Sequence, residues 1–163
     1  MNGIRLFICP TSDESAELYR GAADAYNRTP MAERNAGFDL FCDVADTVAY
    51  PHNTYLVSQG CKAVAMGPDG SYRAYWLAPR SSISKTEWRL ANSMGLIDAT
   101  YRGTLRAALC SVVGGSPTHA LDGQRICQLA TGDLSAWSEV VVVDELPGPA
   151  TERGEGGFGS TGK

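Results

Sequence analysis

Turn residues interrupt this chain so often beyond residue 35 that no long helix fits between them. Apolar stretches rich in Val, Tyr, Phe and Leu run as "FDLFC", "TVAY", "TYLVS", "KAVAM", "YRAYWLA", "SMGLID", "GTLRAALCSVV", "RICQLA" and "SEVVVVDEL". Between several of them stand "PHN", "GPDG", "VGGSP" and "LDG", whose Gly, Pro, Asn and Asp favour tight turns. Segments of this kind read as strands. An antiparallel sheet with one apolar face must cover that face with a second sheet, so the pattern predicts an all-β fold, a distorted jelly roll or β-sandwich. One short N-terminal helix is the exception: Thr11 and Glu14 stand three apart as a capping box, and Ala16, Tyr19, Ala22, Ala23 and Tyr26 recur at helical spacing, predicting a helix over residues 12–26.

The chain's 163 residues, 44% of them apolar, suffice for one domain with its own core, placed at residues 1–150, followed by a flexible Gly-rich arm over 151–163. A net charge of −4 leaves no overall basic field for duplex nucleic acid or an anionic membrane, so a polyanionic ligand must be met locally. Neither a membrane-length apolar run nor a secretory leader is expected. Five scattered cysteines, odd in number and never spaced C-x-x-C, suggest neither a disulfide framework nor a zinc site. They read as buried thiols of a soluble chain in a reducing compartment, the cytoplasm, or the nucleus for a eukaryotic or viral source. His52 and His119 stand alone.

The arm, "RGEGGFGSTGK", satisfies the spacing G-x-x-x-x-G-K through Gly157, Gly162 and Lys163. A phosphate loop needs a strand before it, Ser or Thr after the lysine, and a following helix. All three are missing. A Gly-rich terminus is more often plain disorder. Yet Arg153, Phe158, Ser160 and Thr161 among the glycines are what an arm closing over a phosphate ester requires.

Four further stretches carry chemistry-bearing residues, each with a bland alternative. In "NAGFDLFC", Asp39 follows a flexible Gly37-Phe38 pair and is otherwise a strand-end turn former. In "PRSSIS", Arg80 offers a planar fork of donors and Ser81 is placed to cap a short turn, an arrangement suited to an anion. "NSMGLIDATYRGTL" reads as a hairpin with Asp98 and Tyr101 facing one space, or with Asp98 as a turn former and Tyr101 at the core edge. In "GQRICQLA", Arg125 and Gln128 fall three apart on a strand and so on opposite faces, one solvated and one structural if nothing more.

In this order, "AGFDL", "PRSS", "GLIDATYRG", "GQRICQL" and "RGEGGFGSTG" resemble the five motifs of the trimeric dUTP pyrophosphatases, from about Asn35 to Gly162. The resemblance implies hydrolysis of dUTP to dUMP and diphosphate by water attack on the α-phosphorus, limiting uracil in DNA. Asp98, with Gln128, would orient and deprotonate the water. Arg80, Ser81, Ser82 and Arg153 would meet the phosphates, Ser82 standing where many relatives have glycine. A Mg²⁺ ion would be held by the triphosphate and waters, with Asp39 an outer-shell partner. The hairpin from Asn92 through Gly95 to Ile97 would read uracil, with Tyr101 beneath the sugar. Phe158 would stack on the base while Gly159, Ser160 and Thr161 close on the outer phosphates. The resemblance further implies a homotrimer in which three subunits build each pocket and a neighbour donates the arm. Two alternatives stand beside it: a dCTP deaminase of the same fold, disfavoured because residues 92–104 contain no glutamate, and a nucleotide-gated protein that binds a regulatory partner, with the leading helix as docking element.

Overall fold

The computed structural model describes residues 3–115 and 117–159. Chain order is β1 (Arg5–Pro10), α1 (Asp13–Arg28), β2 (Gly37–Asp39), β3 (Asp43–Tyr50), β4 (Thr54–Met66), β5 (Tyr72–Arg73), β6 (Tyr75–Pro79), β7 (Trp88–Leu90), β8 (Gly95–Ile97), β9 (Thr104–Ser111), β10 (Cys127–Thr131) and β11 (Glu139–Val142). The larger sheet has the order β11-β1-β4-β9-β7, with β3 and β5 also on β4; the smaller has the order β2-β10-β6-β8. The expected β architecture with one helix is therefore present. No helix among the described residues is long and apolar enough to cross a membrane.

β4 is the spine of the larger sheet, its first half pairing with β3 and its second with β1. The sequence suggested two strands here, "TYLVS" and "KAVAM". They are joined because Gly60, at φ +62°, absorbs a break in the pairing with β9 between Ser58 and Lys62 without ending the strand. Conversely "YRAYWLA" divides at exposed Ala74, sending β5 to the larger sheet and β6 to the smaller. Sequence reading did not anticipate β1 or β7. Leu6 and Ile8 alternate inward on β1, which runs parallel to β11 on one side and antiparallel to β4 on the other.

The helix begins one residue later than expected. Ser12 is the N-cap: its Oγ accepts from the Ser15 amide at 3.1 Å, while the Ser12 amide donates to Ser15 Oγ at 3.0 Å. It also runs on to Arg28. Ala16, Tyr19 and Ala23 point into the core as the spacing predicts, and Ala22 and Tyr26 pack against it. The far end of the helix secures β11. Asn27 brackets Val140, donating from Nδ2 to its carbonyl at 2.8 Å and accepting its amide at Oδ1 at 2.9 Å. A side-chain amide thereby takes the place of a neighbouring strand. Arg34 donates to the carbonyls of Trp137 at 3.1 Å and Ser138 at 2.6 Å.

Between the sheets lie Leu6, Ile8, Val57, Leu77, Leu105, Leu109, Leu129 and Trp137, all at most 2% exposed. Each such side chain contributes about 1.5–3 kcal/mol by leaving water. The Trp137 indole N–H, which burial would otherwise strand, donates to the Leu129 carbonyl at 3.0 Å.

All five cysteines are free; Cys42, Cys61 and Cys127 are buried, whereas Cys9 and Cys110 are only partly covered. Burial pushes the Cys42 and Cys61 thiols up to about 12 and raises Cys127 in the same direction. In the unfolded chain these thiols ionise near pH 8.5. Above that pH the unfolded chain releases protons that the folded chain retains, so the stabilisation present below it is lost as pH rises toward 12. Each buried thiol is worth about 2 kcal/mol less at pH 10 than at pH 8. Calorimetry is expected to show Tm falling by more than about 5 °C over that interval. An unchanged Tm would refute the burial argument.

Candidate active site

The smaller sheet collects four of the five motifs side by side. Gln128 on β10 lies opposite Asp39 on β2 and Ala78 on β6, and Arg80 follows the end of β6. The Asp39 carboxylate accepts from Arg80 Nε at 2.8 Å and from Arg125 Nη1 at 3.3 Å. Two guanidinium groups against one carboxylate leave this end of the sheet with a net positive charge, suited to an anion. Gln128 Nε2 donates to the Pro79 carbonyl at 3.2 Å. Its Oε1 lies so close to Gly37 that a Cβ there would come within 1.9 Å of it. Glycine precedes Phe38-Asp39 because the Gln128 amide occupies the space of a side chain. Asp39, Arg80, Ser81 and Gln128 line one open cleft of about 440 Å³.

Ser81 does not cap the turn it was expected to cap. It is the first residue of a 3-10 turn, Ser81–Lys85, whose N-cap is Arg80 with no side-chain cap bond, and its carbonyl accepts from Ser84 Oγ at 2.7 Å. Ser82 is absent from the cleft wall; its hydroxyl lies 3.5 Å from Arg80 Nη1.

Asp98 stands at the other end of the sheet. β8 pairs antiparallel with the start of β6, Ile97 opposite Tyr75 and Gly95 opposite Leu77, whereas Arg80 lies beyond the finish of β6. From Tyr75 to Arg80 a strand advances about 16 Å. Within one chain, therefore, Asp98 does not meet Gln128, Arg80 or Ser81. It shares a separate cavity of about 210 Å³ with Asn92, Gly95, Ile97 and Tyr101, and the arm supplies Arg153 and Phe158 to the same walls. The Tyr101 amide donates to the Asp98 carbonyl at 3.0 Å, closing the turn that aims both side chains into this space. The Tyr101 hydroxyl donates to the Thr104 carbonyl at 2.9 Å, and burial raises its pKa, keeping the ring neutral. Leu77, Leu90 and Ala108 provide an apolar floor.

Arg153 and Asp98 form an ion pair. Gly159, at φ +92°, follows Phe158 but does not line the cavity; Ser160 and Thr161 lie outside the described residues. Arg106, on β9, also lines the cavity and was missed from the sequence. Its guanidinium is held by Asp46, whose backbone carbonyl accepts at 2.8 Å. The available signal was a cation within the otherwise apolar run "LRAALC".

Among the described residues no three His, Cys, Asp or Glu side chains are grouped to hold a metal. Asp39, the candidate nearest such a role, is committed to two guanidinium groups.

A family model described as dUTPase matches residues 24–162. The chain belongs to the dUTPase family. The chain is similar to the deoxyuridine 5'-triphosphate nucleotidohydrolase of Candida albicans, 33% identical over 153 residues that make up 93% of this chain and 91% of that one. With the protein of that name from Escherichia phage T5 it shares 41% identity over 87 residues, 53% of this chain and about half of the relative, 56%. The solved structure of a Staphylococcus bacteriophage 80alpha dUTPase mutant with dUpNHpp aligns at TM-score 0.45 and 24% identity, covering 97% of this chain and 98% of that one. The dUTPase match begins inside α1, so β1 and the first part of the helix precede it.

Proposed function

We propose that this dUTPase-family protein hydrolyses dUTP to dUMP and diphosphate in a homotrimer whose pockets each join the Asp98 cavity of one copy to the Arg80 cleft of another. The carrying observation is the separation of the two half-sites by the length of β6. Neither alone is complete: the Asp98 cavity holds the carboxylate, an apolar wall and two arginines, Arg106 and Arg153, already paired with carboxylates, while the Arg80 cleft holds that arginine and the Gln128 amide, its carboxylate, Asp39, taken up by two guanidinium groups.

In this reading the hairpin backbone from Asn92 to Ile97 recognises the uracil edge, and the Tyr101 ring packs beneath the sugar where a 2′-hydroxyl would crowd it. Phe158 stacks on the base. Asp98 accepts the proton of a water directed at the α-phosphorus, and Gln128 from a second copy orients that water. Arg80 and Ser81, again from the second copy, and Arg153 donate to the phosphoryl oxygens, where charge accumulates. Gly159, Ser160 and Thr161 close on the outer phosphates. A divalent cation such as Mg²⁺, if carried in on the triphosphate, would add to the neutralisation of that charge, and Asp39 would be the carboxylate on this side of the cleft available to it as an outer-shell partner. Arg153 is paired with Asp98 in the structure, and a triphosphate carries more charge than one carboxylate, so substrate draws the guanidinium away and frees the base.

Diphosphate release from dUTP, dCTP, dTTP and UTP tests the assignment. Turnover of dUTP at more than about a hundred times the rate of the others is expected, since a site built to pair a specific polar edge rejects analogues strongly. Ammonia from dCTP would instead identify a deaminase, and nucleotide binding without turnover a binding protein.

A further inference from the structure

We infer that Leu134 of one copy packs on Met94 and Leu96 of the next, sealing the seam where the Arg80 cleft of the first meets the Asp98 cavity of the second. This rests on the shared-site reading above and names the surface that joins its halves. Strand residues alternate between faces, and Phe38, Leu77 and Leu129 of the smaller sheet belong to the buried core. Their neighbours Gly37, Ala130, Trp76 and Leu96 therefore face away from it, and register sets them side by side across all four strands: Ala130 opposite Gly37 and Trp76, and Trp76 opposite Leu96. A sheet with one face in water alternates apolar and polar residues. This outer row has no charged side chain. Its ends lead to the two half-sites, Ala130 in the wall of the Arg80 cleft and Leu96 in the wall of the Asp98 cavity.

At the cleft the row is extended by Leu134, which lines the same wall and is 62% exposed. The loop after β10 holds it there. Asp133 Oδ1 accepts from the Ser135 amide at 3.0 Å and from the Ser135 and Thr131 hydroxyls at 2.7 and 2.9 Å, and the Leu134 amide donates to the Thr131 carbonyl at 3.2 Å. Leu134 itself takes φ +62°, a left-handed conformation unfavourable for a bulky side chain and readily adopted by asparagine or glycine. The loop thus satisfies its polar groups internally and, under backbone strain, presents a leucine to the open side of the cleft. At the cavity the matching rim is the hairpin, where Met94 is 41% and Leu96 59% exposed. One exposed leucine is ordinary on any surface. Here apolar side chains stand on the rims of both half-sites, and joining cleft to cavity brings those rims together in a head-to-tail contact that closes as a ring. The partner that covers them is therefore a second copy, and their burial keeps water out of the seam, where it would weaken the charge interactions of the site.

Cross-linking tests the contact. A chain carrying Leu134→Cys and Leu96→Cys, its partly covered thiols removed by Cys9→Ser and Cys110→Ser, is treated with a short bismaleimide and separated under denaturing conditions. Covalent trimers are expected from this chain and none from either single cysteine variant, since one cysteine of each kind must meet at every seam. A doubly substituted chain that is trimeric by native mass yet yields no covalent species overturns the inference. Leu134→Asn tests it without cross-linking. Asparagine suits the backbone there, so circular dichroism should be unchanged, while the concentration at which trimers dissociate is expected to rise about tenfold or more, with activity at low protein concentration falling in step. Leu134→Met, which keeps the apolar contact, is expected to restore both. Unchanged assembly and activity in Leu134→Asn would refute the seam. A wild-type chain that is monomeric at assay concentration and still hydrolyses dUTP removes the shared site and the seam with it, whereas an active trimer that never cross-links removes the seam alone.

Discussion

Asp98→Asn is expected to lower kcat for dUTP by about 10²–10⁴-fold while dUTP affinity changes by less than about tenfold. Asparagine preserves the shape of the side chain and can still hold a water, but it accepts no proton at neutral pH. The carboxylate sits where the turn closed by Tyr101 directs it, beside an apolar floor and not against the phosphate cleft, so its loss falls on the chemical step. The substitution also removes the partner of Arg153, which frees the guanidinium for phosphate and so works against any loss of affinity. Single-turnover rates and equilibrium binding of a non-hydrolysable analogue separate the two quantities. A variant that binds poorly yet turns over at the normal rate would refute the assignment of the base.

Ending the chain at Glu152 is expected to reduce kcat/KM by at least about 10²–10³-fold, the loss typical of deleting one positioned donor to a developing charge, and to leave the oligomer intact. Arg153 and Phe158 leave together, so both phosphate neutralisation and cover over the base are lost. The fold should not follow, because none of the removed side chains belongs to the buried core. Ordering the arm costs about 1–2 kcal/mol of backbone entropy per residue. Contacts already made from Pro147 to Glu155 reduce the number of residues left to order when nucleotide binds. Native mass and calorimetry of the shortened chain check the fold, and diphosphate release checks the loss. Full activity would remove the arm from the mechanism.

Much of the fold was legible because its signals are local. The glycine- and proline-bounded runs gave the strands, and the spacing of Ala16, Tyr19 and Ala23 gave the buried face of the helix. What was not legible depends on partners distant in sequence. Thr11 and Ser12 are both competent caps, and packing of Ala16 and Tyr19 decides between them. "TYLVS" and "KAVAM" read as separate strands until β1 and β3 are seen to claim opposite halves of one continuous β4. β1 hides its alternation because Phe7 and Cys9 are also apolar. β7 is too short to declare itself. At the candidate site, residue types singled out Asp98, Tyr101, Arg80 and Gln128, yet register alone separates them: the pairing of Ile97 with Tyr75 sends the acid to one end of β6 while the arginine stays at the other. Arg106 was passed over because a cation in a strand usually faces solvent, and its contact with Asp46 crosses 60 positions of sequence.

The location of β1 bears on how this protein should be cut. Hydrogen-bonded along both flanks, it is an interior seam of the larger sheet although it comes first in the chain and lies outside the recognisable family segment. Trimming to that segment would remove the strand that joins β4 to β11, bare a row of peptide groups on each and invite strand-to-strand association between molecules. Useful boundaries for expression therefore begin ahead of Arg5, outside the segment that the family model matches.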